Sequence, residues 1–211
     1  MSANDDPTRT SYDRVAAEYA RRFDDELAHK PLERRLLAGF AASVRGRIAD
    51  VGCGPGHVAD YLREQGADAM GIDLSPAMLE QARALHPDVP FVEADMRALP
   101  LEDGALGGIV ALYSLIHIPR AEVTSVLAEF RRVLAPGGRL LIGFHIGDEV
   151  RHVAEWFEQP VDVDFHFFTP AEMTGYLSVA GLTLEETIER DPYPEVEVQT
   201  RRAYLLALRP A

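Results

Sequence analysis

The densest chemistry in the chain lies in one run, Arg47-Ile48-Ala49-Asp50-Val51-Gly52-Cys53-Gly54-Pro55-Gly56-His57. An apolar stretch ends in an acid, Gly52, Gly54 and Gly56 alternate with other residues, and a helical pattern starts at once. Without β-carbons these glycines allow sharp positive-φ turns and let a small molecule lie against bare main chain. The first N–H groups of the following helix are unpaired and suit a carboxylate or phosphate. About 20 residues on, Asp73 closes a second apolar stretch, where an acid is placed to accept hydrogen bonds from both hydroxyls of a ribose. A histidine side chain ordinarily titrates near neutrality and suits a general base, and of His117, His145 and His166 the candidates are His145 and His117, beside strand ends. Combined with Asp148 or Asp164 they lack the tight spacing of a metal site, so no metal is expected. Cys53 is the single cysteine, which excludes an intrachain disulfide and a cysteine metal cluster.

The elements that must position these groups alternate. From Ser11, the residues Tyr12, Val15, Ala16, Tyr19 and Phe23 repeat at helical spacing, after a polar stretch to about residue 10 that reads as loose. A second helix follows Pro31, with Leu32, Leu36, Leu37 and Phe40 as its buried stripe. The glycine loop leads to a helix ending at Gly66, then to a strand over 67–72. Ser75 and Pro76 supply a cap and a first-turn proline for the next helix. Short strand 90–93 follows, then 107–113, whose continuous apolar run fits burial on both faces of a parallel sheet. A long amphipathic helix over 120–134 ends in Pro136-Gly137-Gly138, a turn into strand 140–145. Strand–helix alternation implies right-handed crossovers and a doubly wound α/β fold, with ligands at the carboxyl ends of the strands. Asp50, Asp73, Asp95, Tyr113 and His145 all fall at such ends. The alternation pauses over 147–168, a segment rich in aromatics that reads either as a substrate cap or as a small satellite core. After a helix from Thr169-Pro170, strands 182–189 and 202–208 are joined by too few residues for a crossover helix, so they form an antiparallel hairpin.

The dinucleotide fingerprint G-x-G-x-x-G would need glycine where His57 stands. Acid-x-Gly-x-Gly-x-Gly over Asp50–Gly56 resembles instead the first motif of the class I S-adenosylmethionine (SAM) dependent methyltransferases. Gly71-Ile72-Asp73-Leu74-Ser75-Pro76-Ala77-Met78-Leu79 resembles their second motif, Leu134-Ala135-Pro136-Gly137-Gly138 is a further signature, and Tyr12–Tyr19 resembles the N-terminal helix that lies over the cofactor in small-molecule members. The strand opening Leu106-Gly107-Gly108 departs from the family's usual Phe-Asp. The resemblance covers essentially the whole chain. It implies a seven-stranded, mostly parallel sheet with a C-terminal antiparallel hairpin, a helical lid over residues 1–43 and a SAM-binding core over 44–211. It also implies that Asp95 accepts the adenine amino group beside the Met96 N–H, and that Leu74 and Met78 pack near adenine, core filler being the other reading of Met78. Tyr12 and Tyr19 are open between docking on the sheet and cation–π contact with the sulfonium.

Composition narrows the partners. A net charge of −13 opposes a nucleic-acid backbone, where affinity comes from cations. Neither a signal peptide nor a membrane-length apolar run is read, so a cytoplasmic protein without membrane association is expected. Lys30, the only lysine, reads as codon bias. The expected function is methyl transfer from SAM to an O- or N-nucleophile of a small organic acceptor. The rivals are a SAM-binding protein without methyl transfer, an NAD-dependent oxidoreductase and a protein-modifying enzyme.

Overall fold

The computed structural model describes residues 6–211. The first helix, α1 (Pro7–Phe23), begins earlier than its apolar periodicity suggests. Asp6 caps it, its carboxylate accepting from the N–H groups of Thr8 at 2.8 Å and Arg9 at 3.3 Å, and Pro7 fills the first turn. The stretch to about residue 10 is therefore helical from Pro7, while residues 1–5 lie outside those described. A single 3₁₀ turn leads to α2 (Pro31–Ser43).

Strand β1 (Ile48–Val51) follows, then α3 (His57–Glu64), β2 (Ala69–Asp73), α4 (Pro76–Leu85), β3 (Phe91–Glu93), β4 (Leu106–Leu112), α5 (Arg120–Val133) and β5 (Leu134–His145). The chain ends with α6 (Pro170–Val179), β8 (Thr183–Arg190) and β9 (Arg202–Leu208), after a separate pair, β6 (Val150–Trp156) and β7 (Gln159–His166). The main sheet has seven strands in the order β3-β2-β1-β4-β5-β9-β8, parallel through β5, with β9 antiparallel to both its neighbours. This is the doubly wound sheet with a closing hairpin that the sequence implies. Strand order reverses between β1 and β4, and that reversal opens a crevice at their carboxyl ends.

Side-chain alternation explains why both faces are covered. Ala49, Ile109, Ala111, Leu140 and Ile142 join the core beneath α5 and α6, whereas Ile48, Val110 and Leu141 join Leu37, Phe40 and Leu62 from α2 and α3. Strand β5 is longer than the 140–145 expected. Its Pro-Gly-Gly segment is tied to the end of β9, Gly137 N–H donating to the Arg209 carbonyl and Arg209 N–H to the Gly138 carbonyl.

The pause at 147–168 is a β-hairpin. Its turn residues, Phe157 and Glu158, have φ of 53° and 61°, the primed-turn geometry usually given by Asn-Gly or Asp-Gly. Val161 and Val163 alternate with exposed Asp162 and Asp164, and they pack on Val15 and Ala16 of α1.

Candidate active site

One cavity occupies the crevice, bounded below by the loops after β1, β2 and β4 and above by α1. The three glycines of the loop after β1 do different work. A Cβ on Gly52 (φ +77°) would sit 2.2 Å from the Ser114 Cβ, so glycine there lets the loop after β4 approach, and the Ser114 hydroxyl donates to the Val51 carbonyl at 2.7 Å. A Cβ on Gly56 would meet the Phe91 ring at 2.6 Å; this glycine serves packing and does not line the cavity. Only at Gly54 is the space open, the nearest atom being in the Tyr19 ring at 4.0 Å. The bare main chain expected of all three glycines thus faces the cavity at Gly52 and Gly54, and has free room at Gly54 alone.

Two acids flank that loop. The Asp73 carboxylate accepts from the N–H groups of Gly54 and Ser75, each at 2.8 Å, which fixes its orientation and leaves one lone pair on each oxygen. Burial raises its pKa, against those same hydrogen bonds. Asp50 is 2% exposed, and one of its carboxylate oxygens has no hydrogen-bond partner. Burial pushes its carboxyl up to about 7, with the Asp73 charge adding and His57 opposing.

Toward β3, Leu74, Asp95 and Met96 line the cavity. Asp95 accepts from the Arg97 N–H at 2.8 Å and pairs with its guanidinium at 3.3 Å. Met78 is not with them: it is 1% exposed and packed beneath α1 against Val15 and Ala16, so the adenine-side expectation gives way to core packing.

The opposite wall is aromatic. Tyr12 and Tyr19 meet edge to face at 5.9 Å, and burial raises the pKa of both hydroxyls. Tyr113, immediately after β4, is in the left-handed region at φ 56°, a strained conformation for a bulky residue that turns its ring into the cavity; its hydroxyl meets that of Tyr204 at 2.6 Å.

The two candidate bases part company. His117 lines the cavity; its Nδ1 lies 3.1 Å from the Asp164 carbonyl and its Nε2 2.8 Å from the Tyr12 hydroxyl. A carbonyl only accepts, so Nδ1 carries the proton and Nε2 receives the Tyr12 O–H. Burial draws its pKa down to about 4, leaving the ring neutral near pH 7. His145 is outside the cavity, stacked on Phe167, beside Tyr113 and hydrogen-bonded to Thr200 at 2.7 Å. Burial, then Arg202, brings its pKa to about 3. The rim position foreseen for it is real along the strand, but its ring falls behind Tyr113.

No motif in the sequence marks the polar end of the cavity. Lys30 is 6% exposed, 2.6 Å from the Glu26 carboxylate and 5.7 Å above the Tyr113 ring. Burial would raise Glu26, yet His57 and Lys30 hold it near 2. Glu33 is 1% exposed and bonded to Arg190 and Tyr204. Glu33 shares a helix face with Leu37 and Phe40, so its burial was legible in the periodicity, whereas that of Lys30 was not. Among the described residues no group of three His, Cys, Asp or Glu could hold a metal ion, and no helix is long and apolar enough to cross a membrane.

Residues 48–138 match the methyltransferase domain family. The sheet order is that of the class I, Rossmann-like methyltransferase fold, and the matched segment spans its first four parallel strands. It is 30% identical over 148 residues to the demethylmenaquinone methyltransferase of Renibacterium salmoninarum, covering 64% of this chain and 62% of that protein. It is 27% identical over 199 residues to the ubiquinone biosynthesis O-methyltransferase of Xanthomonas axonopodis pv. citri, covering 84% and 82%. Among solved structures, the magnesium protoporphyrin IX methyltransferase of Synechocystis, crystallised with bound SAM, aligns with a TM-score of 0.73 at 18% identity over 96% of this chain and 95% of that one. At that identity the likeness is one of fold.

Proposed function

We propose that the chain binds SAM in this cavity and transfers its methyl group to an O- or N-nucleophile of a small organic acceptor. The observation that carries the reading is the convergence, in one cavity at the switch point, of open main chain at Gly54, the acids Asp50 and Asp73, and the aromatic wall of Tyr12, Tyr19 and Tyr113. The fit to the cofactor rests on unfilled groups. A carboxylate oxygen of Asp50 and Nδ1 of His57 are buried without partners, as a ligand bearing both an ammonium and a carboxylate would require. Asp73 keeps the lone pairs for a ribose, and Leu74, Asp95 and Met96 would hold the base. The relatives named above are methyltransferases, two of them for quinone precursors by name, which supports the same class here.

When bound, SAM supplies an already activated methyl group. The protein's contribution is then alignment in a site without bulk water, and alignment alone can supply effective molarities of about 10⁵ M or more. Residues 7–43, chiefly α1, act as the lid, the 147–168 hairpin is the substrate cap, and His117 is the candidate base that faces the cavity. Titration calorimetry tests the cofactor assignment: SAM and its demethylated product bind, and NAD does not. Tight NAD binding with no heat from SAM would overturn it in favour of an oxidoreductase. Binding of SAM without turnover of any phenol or amine would leave a SAM-binding protein.

A further inference from the structure

We infer that Tyr12 is the catalytic residue that receives the acceptor's proton, that His117 draws the proton onward through it, and that the acceptor is an aromatic hydroxyl. This rests on the proposed methyl transfer and refines its site. The geometry begins with direction. Asp164 contributes only a backbone carbonyl, so His117 Nδ1 must donate to it, and Nε2 must accept from the Tyr12 hydroxyl. Tyr12 therefore spends its only proton on His117. Its oxygen keeps its lone pairs, and the residue lines the cavity. A group entering with an O–H meets an acceptor there.

Three distant segments build this line: α1, the turn after β4, and strand β7 of the cap. Nothing in the cofactor cradle requires it. Tyr12 is also wedged edge-on against Tyr19, His117 and Trp156, with centroids at 5.9, 5.2 and 5.7 Å, which fixes the ring and aims the hydroxyl. A contact needed only to lay an aromatic face on a sulfonium would not need a hydroxyl bonded to a histidine of defined tautomer.

The acceptor class follows from wall and strength. Tyr12, Tyr19 and Tyr113, with Leu27, Leu112 and Ile118, present flat and apolar surface suited to a planar ring. The line is a weak base: burial raises Tyr12, with Tyr19 and Asp73 adding, and burial lowers His117, with His166 adding while the Asp164 carbonyl and Asp6 oppose. A hydroxyl gains from such a line because its proton must leave as the O–C bond forms, whereas a neutral amine attacks through its lone pair and needs no base. In the step the acceptor oxygen bonds to the methyl carbon and the S–C bond breaks with its electron pair left on sulfur. The acceptor proton passes to the Tyr12 oxygen while the Tyr12 proton passes to His117 Nε2, and the imidazolium Nδ1–H stays on Asp164.

The test uses the full chain with Y12F, H117Q and the double variant. Phenol, catechol, 4-nitrophenol and benzylamine serve as acceptors with methyl-labelled SAM in single turnover, beside calorimetric SAM affinity. Expected are methyl transfer to at least one phenol, a rate about 100-fold or more lower in Y12F with SAM affinity within about threefold, a similar loss in H117Q, and no further loss in the double variant. Nitrogen-15 spectra of labelled histidine are a readout independent of turnover: His117 is a neutral Nδ1–H tautomer near pH 7, and its Nε2 resonance moves in Y12F. An unchanged rate in Y12F, a loss of SAM affinity as large as the loss of rate, additive losses, or transfer to benzylamine but no phenol would each overturn the inference. Failure of the parent chain to bind SAM would instead bring down the underlying function.

Discussion

At the scale of single residues, Asp50 sets how the site responds to pH. It is buried with one oxygen unpartnered, and its carboxyl is held near 7, so close to neutrality the free protein is partly protonated there. A cationic ligand favours the ionised form, and binding must release the proton. SAM affinity is therefore expected to be constant above about pH 7 and to weaken on acidification by up to about tenfold per unit, with proton release visible as a buffer-dependent heat. D50N should bind more weakly and lose the slope. A parent chain with a flat profile between pH 5.5 and 8 would show that Asp50 does not face the cation. The glycine motif was legible at this same scale, but not the division of labour within it. Which glycine faces a ligand depends on Ser114 and Phe91, which come from other parts of the chain.

At the scale of elements, α1 is held to the site by side-chain hydrogen bonds as well as by aromatic and apolar packing. The Asp13 carboxylate accepts from the Ser75 hydroxyl at 2.6 Å and the Ala77 N–H at 3.2 Å, at the start of α4. The Arg14 guanidinium donates to the Pro160 carbonyl and the Asp162 N–H to the Ser11 hydroxyl, joining α1 to the cap hairpin. These bonds act beside the packing of Val15, Ala16, Tyr12 and Tyr19 on Met78, Val161, Val163 and Trp156. Removing one should free the helix without unfolding the sheet. D13A is expected to cost about 1–2 kcal/mol and to raise amide exchange in α1 well above that in β1 and β4. Equal exchange throughout would mean that α1 is not a separable lid. The hairpin carries no local turn signal, since Phe157-Glu158 contains neither glycine nor asparagine, and tertiary packing of Val161 and Val163 sustains it instead.

For the whole molecule, the misplaced base becomes a determinant of stability. His145 resists protonation down to about pH 3 because it is buried beside Arg202, whereas in the unfolded chain it takes a proton near 6.5. Between those values the unfolded state binds a proton that the folded state does not, so acidification from 6.5 toward 3 favours unfolding. Asp50 acts in the opposite sense, so the clean comparison is parent against H145Q at each pH. The variant should gain roughly 2–3 kcal/mol relative to the parent between pH 6.5 and 4, measured by denaturant titration. A constant difference across that range would show that His145 is solvated.

The sequence by itself determined the alternation of strands and helices, the glycine loop with its acids at strand ends, and the closing hairpin. These follow from local patterning: period-two and period-3.6 burial, caps, and glycines where only positive φ will serve. Tertiary structure alone decided which of these groups share a cavity. Met78 and His145 stand at the right places along the chain, yet they turn away because α1 and Tyr113 occupy the space between. Lys30, Glu33 and the line from Tyr12 to His117 come together only because α1, α2, the turn after β4 and the cap converge. Side-chain direction across such distances depends on packing between segments, and no local pattern records it.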